Sequence, residues 1–415
     1  EGTVSPATLT FTENNWNTAQ TVTLKGVDDT DKDRNQAFRI SLYAEDQKTD
    51  NPEVSTFAGS GAQGSTNASG TSATFKYPIG VAKVGNYLYV TDYNNNKIRK
   101  IVISTGAVTT LAGSGSQGSA DGTGTSASFK QPLGITTDGT NLYVTDQFNH
   151  TIRKIVISTG AVTTLAGSGT AGSTDTTGTA AKFYYPVGIT TDGTNLYVSD
   201  HYNHRIRKIV IATGVVSTLA GSSSGSTDAT GTSAKFNAPT GITIDGTNLY
   251  VADSNNHRIR KIVISTGVVT TLAGSSSGST DATGTSARFK NPWGMTTDGT
   301  NLYVADRNNH KIRKIVISTG VVSTLAGSSS GSTDATGTSA RFKEPLGVTT
   351  DGTNLYVADY GNHIIRKINL RGTVTADVAM HNLDDDTNVT VNLASSDTGE
   401  ATVAPATLSF TENNW

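Results

Sequence analysis

The densest group of side chains able to hold a metal ion lies near the start of the chain, in the segment VDDTDKDR. Closely spaced carboxylates on a short loop suit Ca²⁺, which prefers several oxygen ligands. An EF-hand is excluded, because that motif read from the second aspartate requires glycine and glutamate where Arg34 and Ile40 stand. A solvated acidic turn is the alternative to a calcium site of another kind. The predicted calcium ligands are Asp28, Asp29, Asp31 and Asp33.

Two glycine motifs imitate known active sites without the surroundings that those sites require. A nucleotide-binding GxGxxG loop opens a helix within a βαβ unit, and a GxSxG nucleophile lies on a strand–turn–helix elbow. Neither context is present, so we interpret these segments as linkers. The GxGxxG segments begin at Gly59, Gly113 and Gly167, and the GxSxG segments at Gly221, Gly274 and Gly327.

Five of the seven histidines occupy one position of an internal repeat, whereas His201 and His381 stand outside it. A functional site should break a repeat, so we predict a structural role in a turn for the repeated imidazoles. They are His150, His204, His257, His310 and His363.

Composition narrows the class of protein. The 415 residues include no cysteine, which excludes disulfides, thiolate metal sites and cysteine nucleophiles. The formal net charge of −2 gives no general attraction to nucleic acid or to an anionic membrane. No apolar run is long enough to span a bilayer. The low charged fraction of 16% is typical of secreted all-β proteins.

A repeat of 53 or 54 residues organises most of the chain. Each copy contains four strand-like segments separated by DGTN and STG turns, which favour tight hairpins. Four short antiparallel strands per repeat indicate a β-propeller blade, and six copies predict an all-β, six-bladed propeller. The LYVxD segments of the six copies end at Asp92, Asp146, Asp200, Asp253, Asp306 and Asp359.

The phase of the repeat predicts how the ring closes. VSTFAG at residues 54–59 is a lone copy of the fourth strand, and the last repeat ends near Ile368 without one. The first strand should therefore complete the last blade and remove the free edge, with the segment after Gly372 as the alternative. A phenylalanine three residues before the proline that opens each first strand is predicted to wedge between neighbouring blades. These are Phe75, Phe129, Phe183, Phe236, Phe289 and Phe342.

The positions at which near-identical blades differ are the best candidates for a binding site. They follow the LYVxD aspartate or flank the proline, two places that meet on one face of a propeller. We predict a mixed aromatic and polar rim around the channel that binds a protein or carbohydrate ligand, with neutral surface drift as the alternative. The candidates are Tyr93, Gln147, Tyr185, His201, Ser254, Trp293, Arg307, Glu344 and Tyr360.

The proline, the LYVAD strand and the N-H-R-I turn, as at residues 203–206 and 256–259, resemble the NHL repeat family over residues 54–370. The first copy departs from the pattern, with Asn96 and Lys97 in the turn. The resemblance implies a propeller but leaves its function open. Related propellers include RNA-binding modules, and lyases or hydrolases with a metal in the central channel. One IRK arginine per repeat could form a positive ring for RNA, but the linker aspartates and the net charge disfavour nucleic acid.

The two ends of the chain are nearly identical, since residues 1–16 and 400–415 differ at three positions. Residues 1–50 resemble the later strands of a Calx-β-like sandwich, and residues 371–415 its earlier strands, on either side of a propeller at residues 53–370. This resemblance implies calcium binding. The near identity of the two end segments predicts a tandem array in which neighbouring copies of the unit are partners. The prediction is a non-catalytic binding or structural module of a bacterial surface or secreted protein, with a channel-metal lyase or hydrolase as the alternative.

Overall fold

The computed structural model describes residues 51–370 in full, together with strand segments on either side. The chain forms two compact units. One is Glu53–Ile368, and the other combines Glu1–Pro52 with Asn369–Trp415.

The larger unit is a propeller of six antiparallel sheets, numbered blades 1 to 6, whose strands a to d follow one another outward from the channel. Strands a are Pro78–Val84, Pro132–Thr137, Pro186–Thr191, Pro239–Ile244, Pro292–Thr297 and Pro345–Thr350. Strands b are Tyr87–Asp92, Asn141–Asp146, Asn195–Asp200, Asn248–Asp253, Asn301–Asp306 and Asn354–Asp359. Strands c are Lys97–Val102, Thr151–Val156, Arg205–Val210, Arg258–Val263, Lys311–Val316 and Ile364–Arg371. Strands d are Val108–Ala112, Ala161–Ala166, Val216–Ala220, Val269–Ala273, Val322–Ala326 and Lys48–Ala58.

Helical structure in the described part of the chain is limited to single 3₁₀ turns, two per blade. One turn follows each strand b: Tyr93–Asn95, Gln147–Asn149, His201–Asn203, Ser254–Asn256, Arg307–Asn309 and Tyr360–Asn362. The other lies in each linker: Gly70–Ser72, Gly124–Ser126, Gly178–Ala180, Gly231–Ser233, Gly284–Ser286 and Gly337–Ser339. Two short linker strands, Gly122–Thr123 and Ala335–Thr336, extend the sheets of blades 2 and 6.

The first strand of the propeller closes the ring. Lys48–Ala58 lies beside Ile364–Arg371 as strand d of blade 6. Thr56 fastens it, since its backbone N–H and hydroxyl both bond to the carboxylate of Asp334. The predicted six blades and the predicted closure are therefore confirmed.

The apolar core is divided into wedges between neighbouring blades. Phe236, which is fully buried, packs with Tyr197 and Ile206 of blade 3 and with Leu249 and Val251 of blade 4. The equivalent phenylalanines are also fully buried. The predicted wedge role is confirmed.

A buried arginine joins the strands of each blade. In blade 4, Arg260 donates to Asp253 at 2.8 Å and to the linker residue Asp228. Its guanidinium also lies 5.0 Å from the centre of the Phe236 ring. Asp228 in turn accepts from the N–H and the hydroxyl of Thr271 in strand d. The equivalent arginines of all six blades are 0% exposed, so the basic ring considered for RNA binding does not lie on the surface: Arg99, Arg153, Arg207, Arg260, Arg313 and Arg366.

One glycine per blade lets the innermost strands approach each other around the channel. A Cβ on Gly188 would lie 2.1 Å from the carbonyl oxygen of Thr240 in the next blade, which is far inside van der Waals contact. The same holds at 2.0 to 2.4 Å for Gly80, Gly134, Gly241, Gly294 and Gly347. The glycine is therefore required by the ring and not by a turn.

The smaller unit contains strands from both ends of the chain. Gln20–Gly26 pairs antiparallel with Gly2–Ser5 on one side and with Asn388–Leu393 on the other. Thr402–Ala404 pairs with Leu9–Thr10 and with Tyr43–Ala44. Strands from residues 1–50 and 371–415 thus share sheets within one chain. The predicted calcium ligands Asp28, Asp29, Asp31 and Asp33 lie outside the described residues, so the calcium site stays a prediction.

Candidate functional site

The candidate site is the rim of the channel, which we define as the 3₁₀ turns that follow strands b together with the residues on either side of the strand-a prolines. The buried aspartate at the end of each strand b builds this rim. In blade 4, one oxygen of Asp253 accepts the backbone N–H of Asn237, and the other accepts the side-chain amide of Asn256. The turn is thereby fixed to the start of strand a in its own blade.

The repeat histidine fixes each turn to the next blade. Its backbone is in the left-handed region, and its Nδ1 accepts the N–H of the residue before the next proline. The bond from Ala238 to His204 is 3.1 Å, and the bond from Tyr77 to His363 joins the last blade to the first at the same length. In blade 1, Oδ1 of Asn96 takes the same role toward Gln131 at 3.0 Å. The predicted turn role of these histidines is confirmed.

Burial lowers the pKa of each repeat histidine. A lowered pKa agrees with the geometry, because an Nδ1 that accepts a hydrogen bond must carry no proton.

The rim also concentrates unusual backbone geometry. Within residues 51–370, every non-glycine residue with positive φ is either the turn residue just described or the residue before a proline. The second set has φ between 51° and 58° and consists of Tyr77, Gln131, Tyr185, Ala238, Asn291 and Glu344. Backbone strain of this kind is often concentrated at functional sites.

The predicted site residues meet at this rim as contacts between adjacent blades. The hydroxyl of Tyr93 lies 3.1 Å from Oε1 of Gln131 and 3.2 Å from Oε1 of Gln147. Burial, with Tyr360 and Tyr185 nearby, raises the pKa of Tyr93 to about 12. Tyr93 is therefore a neutral hydrogen-bonding group at neutral pH.

An ion pair joins blades 5 and 6 at the rim. Arg307 donates to Glu344 at 2.7 Å, with side chains 30% and 36% exposed. The guanidinium of Arg307 also lies 5.3 Å from the centre of the Trp293 ring. The Tyr360 ring lies 4.7 Å from that of Tyr77. These side chains are half-buried and already paired with one another.

Two candidates have less access to a ligand. Nδ1 of His201 lies 3.1 Å from the carbonyl oxygen of Pro239, so this nitrogen carries the proton and donates. Burial lowers the pKa of His201. Ser254 is only 3% exposed, which removes its side chain from the surface offered to a ligand.

Around Tyr185 the structure adds residues that the sequence analysis missed. Its ring lies 4.8 Å from Phe148, 5.3 Å from Tyr184 and 5.2 Å from Tyr202. Tyr184 and Tyr202 are 37% and 51% exposed. Both break the repeat, because other blades have mainly lysine or asparagine there. A comparison of every rim position would have found them.

The channel below the rim is narrow and apolar. Ile79, Leu133, Val187 and Leu346 form a buried cluster against which Tyr93, Trp293 and Tyr360 pack. The cavity inside has a volume of about 70 Å³ and is lined by glycine, valine, isoleucine, leucine, methionine and tryptophan. In the part of the chain that the structure describes, no three His, Cys, Asp or Glu side chains are grouped to hold a metal ion. Nor does any described helix have the length and apolarity to cross a membrane.

Comparison with known proteins finds NHL repeats within the propeller. The NHL repeat model matches residues 183–209 in blade 3 and residues 236–262 in blade 4. NHL repeat-containing protein 2 from Homo sapiens is 31% identical over 295 residues, covering 61% of this chain and 40% of its own length. The chain spans between 30% and 46% of the curated relatives that it matches.

Solved structures show the same fold. A protein of unknown function from Bacteroides thetaiotaomicron superposes with a TM-score of 0.61 at 21% identity, covering 88% of this chain and 96% of that one. An auxiliary nutrient binding protein from the same organism gives 0.59 at 16% identity, covering 85% and 83%. The likeness confirms the all-β propeller fold.

Proposed function

We propose that this propeller of NHL repeats is a non-catalytic binding module whose ligand contacts the rim of the channel, and that it serves an extracellular repeat protein. The extracellular setting rests on the low charged fraction, and the repeat-protein setting rests on the near identity of residues 1–16 and 400–415.

The observation that carries the proposal is the distribution of variation among the blades. The buried arginine, the phenylalanine wedge and the channel glycine recur in all six blades. The rim residues differ from blade to blade, although the backbone that presents them is the same in each. Half-exposed aromatic and charged side chains on a rigid frame suit recognition of a ligand.

The chemistry of the rim favours binding over catalysis. General acid–base catalysis needs a group that can take up or release a proton near the operating pH. The pKa of Tyr93 is too high, His201 holds its Nδ1 proton on Pro239, and Arg307 is paired with Glu344. Burial raises the pKa of Asp146 and Asp359 at the ends of strands b to about 6, but both residues are 0% exposed and cannot contact a ligand. The lining of the channel offers only apolar side chains and backbone.

The fold is compatible with such a role, since one structurally similar protein is described as an auxiliary nutrient binding protein. That likeness concerns the fold. The rim residues themselves must be tested.

The test is a ligand screen with the intact chain by saturation-transfer NMR, using neutral oligosaccharides, acidic oligosaccharides and short peptides. A rim variant, Trp293→Leu with Arg307→Ser, introduces residues found at the same positions in other blades, so its fold should be preserved. The proposal is supported if a ligand binds, if this variant or a substitution elsewhere on the rim weakens the binding, and if mass spectrometry recovers the ligand unchanged. Conversion of a ligand, or binding insensitive to every rim substitution, would refute it.

A further inference from the structure

We propose that the aromatic corner between blades 2 and 3, formed by Phe148, Tyr184, Tyr185 and Tyr202, is a subsite for a neutral carbohydrate. This inference rests on the proposed binding function and names the class of ligand.

Repeated backbone contacts hold the aromatic corner in place. The N–H of Tyr202 donates to the carbonyl oxygen of Tyr184 at 3.2 Å. The N–H of Tyr184 donates to the buried Asp200 at 2.7 Å, and the N–H of Tyr185 to Nδ1 of His150 at 3.2 Å. The backbone that carries the rings is therefore fixed before a ligand arrives, which reduces the entropic cost of binding.

The fold does not require these exposed aromatic side chains. The position of Tyr184 is lysine or asparagine in the other blades, namely Lys76, Lys130, Asn237, Lys290 and Lys343. The position of Tyr202 is polar or glycine in four others, Asn94, Asn255, Asn308 and Gly361, and aromatic in blade 2 as Phe148. Each pair of positions keeps the same backbone hydrogen bond, for example Asn308 to Lys290 at 3.1 Å. Two exposed tyrosines thus stand where most other blades have polar residues, and the backbone is unchanged.

The arrangement of the rings fits a sugar. Tyr184 and Tyr202 are 5.1 Å apart and inclined by 54°, and Tyr185 is inclined to Tyr202 by 77°. The electron-rich face of an aromatic ring attracts the polarised C–H bonds of a sugar, and phenolic hydroxyls can bond to its hydroxyl groups.

The corner favours a neutral, polyhydroxylated ligand over a charged one or a peptide. None of the four side chains of the corner is charged. Burial lowers the pKa of His150 and His201, whose rings touch the corner, and the charge of Lys130 lowers that of His150 further. A proline-rich peptide would need an extended groove lined by successive aromatic residues, whereas these rings form a compact corner.

The experiment measures binding of neutral hexasaccharides to the intact chain by calorimetry and saturation-transfer NMR. The probes are the hexamers of β-1,4-glucose, α-1,4-glucose, β-1,3-glucose, β-1,4-mannose, β-1,4-xylose and β-1,4-N-acetylglucosamine. We expect at least one to bind with a dissociation constant of about 1 mM or lower. The double variant Tyr184→Lys with Tyr202→Asn should weaken that binding at least tenfold while its melting temperature is unchanged.

Two controls separate this inference from the proposed function. The Val215→Ala, Val268→Ala variant changes exposed side chains outside the rim to the alanine that blades 1 and 2 have there, and it should retain sugar binding. The Trp293→Leu, Arg307→Ser variant tests the other side of the rim. If sugar binding depends on that variant and not on the tyrosines, or if only a polyproline peptide binds at the rim, the carbohydrate subsite is refuted while the binding function stands. If no hexasaccharide binds, the carbohydrate inference falls. If no probe of any kind binds at the rim, both fall together.

Discussion

The repeat histidines of this propeller act as acceptors of backbone hydrogen bonds. Each Nδ1 faces an N–H group of the next blade, at 3.1 to 3.2 Å. A proton on that nitrogen would place two donors against each other, so the native state resists protonation of these rings. The same interaction in blade 1 uses Asn96, which cannot titrate.

We predict that acid destabilises the protein in the range where free histidine titrates. The unfolded side chains take up protons below about pH 6.5, whereas burial lowers the pKa of the folded ones. The contribution of these histidines to the free energy of unfolding should therefore be complete above that pH. It should decrease as the pH falls toward the lowered folded pKa. Urea denaturation midpoints measured between about pH 7.5 and pH 5 would show this slope.

The matched control replaces His150, His204, His257, His310 and His363 with asparagine, following blade 1. Asparagine tolerates the left-handed backbone and keeps a side-chain acceptor. The slope should become much shallower, with a remainder from His201 and an opposite contribution from the buried strand-b aspartates, whose pKa burial raises, to about 6 for Asp146 and Asp359. An unchanged slope would show that other groups are responsible.

At the scale of the element, a series of hydrogen-bonded side chains, three of them charged, connects strand b through strand c to the linker and strand d in blades 2 to 6. Asp253 and Arg260 are both fully buried, whereas the side chain of Asp228 is 44% exposed. The linker aspartates do not cap the neighbouring 3₁₀ turns, which lack side-chain caps. In blade 4, Asp228 bonds instead to Arg260 and Thr271.

The two aspartates of blade 4 should differ strongly in their contribution to stability. We predict that Asp253→Asn lowers the free energy of unfolding by about 3–5 kcal/mol, because it leaves Arg260 buried without its buried partner. Asp228→Asn should cost less than about 1 kcal/mol, since the pair is partly exposed. Blade 1 already has Asn67 in that role, 2.9 Å from Arg99. Chemical denaturation of the two variants measures both, and equal losses would contradict the assignment.

The strands themselves could be predicted from the sequence, but the arginines could not. Alternation of apolar and polar residues normally marks one buried face. In a propeller the strands are covered on both faces by neighbouring blades, so Ile259 and Arg260 are both fully buried although they are adjacent. The IRK segment therefore looks like a charged surface in the sequence and lies inside the fold. Burial of the LYVxD strand could be predicted, because its continuous apolar run already indicates that both of its faces are covered.

At the scale of the whole molecule, repetition made the architecture predictable. The phase of one displaced strand was sufficient to predict closure, and the positions of variation predicted the rim. The pairs across the rim could not be predicted, since Arg307 with Glu344 or Tyr93 with Gln131 depends on how each turn meets the next blade. Ser254 shows the limit of the approach, as a variable position that is nonetheless buried.

Closure makes a prediction about the ring as a unit. The closing strand buries Val54 and Ala58, packs Phe57 5.3 Å from Tyr356 and links blade 6 directly to the linker of blade 1. Without it, strand Ile364–Arg371 would expose unpaired backbone groups and blades 6 and 1 would lose their covalent connection.

We therefore expect a chain of residues 59–371 to melt at a markedly lower temperature and to associate as its concentration rises. A chain of residues 48–371, which keeps the strand, should remain monomeric and unfold in one transition. Calorimetry and light scattering on the two chains test this, and equal melting temperatures with two monomers would mean that the contacts among strands a hold the ring without the closing strand.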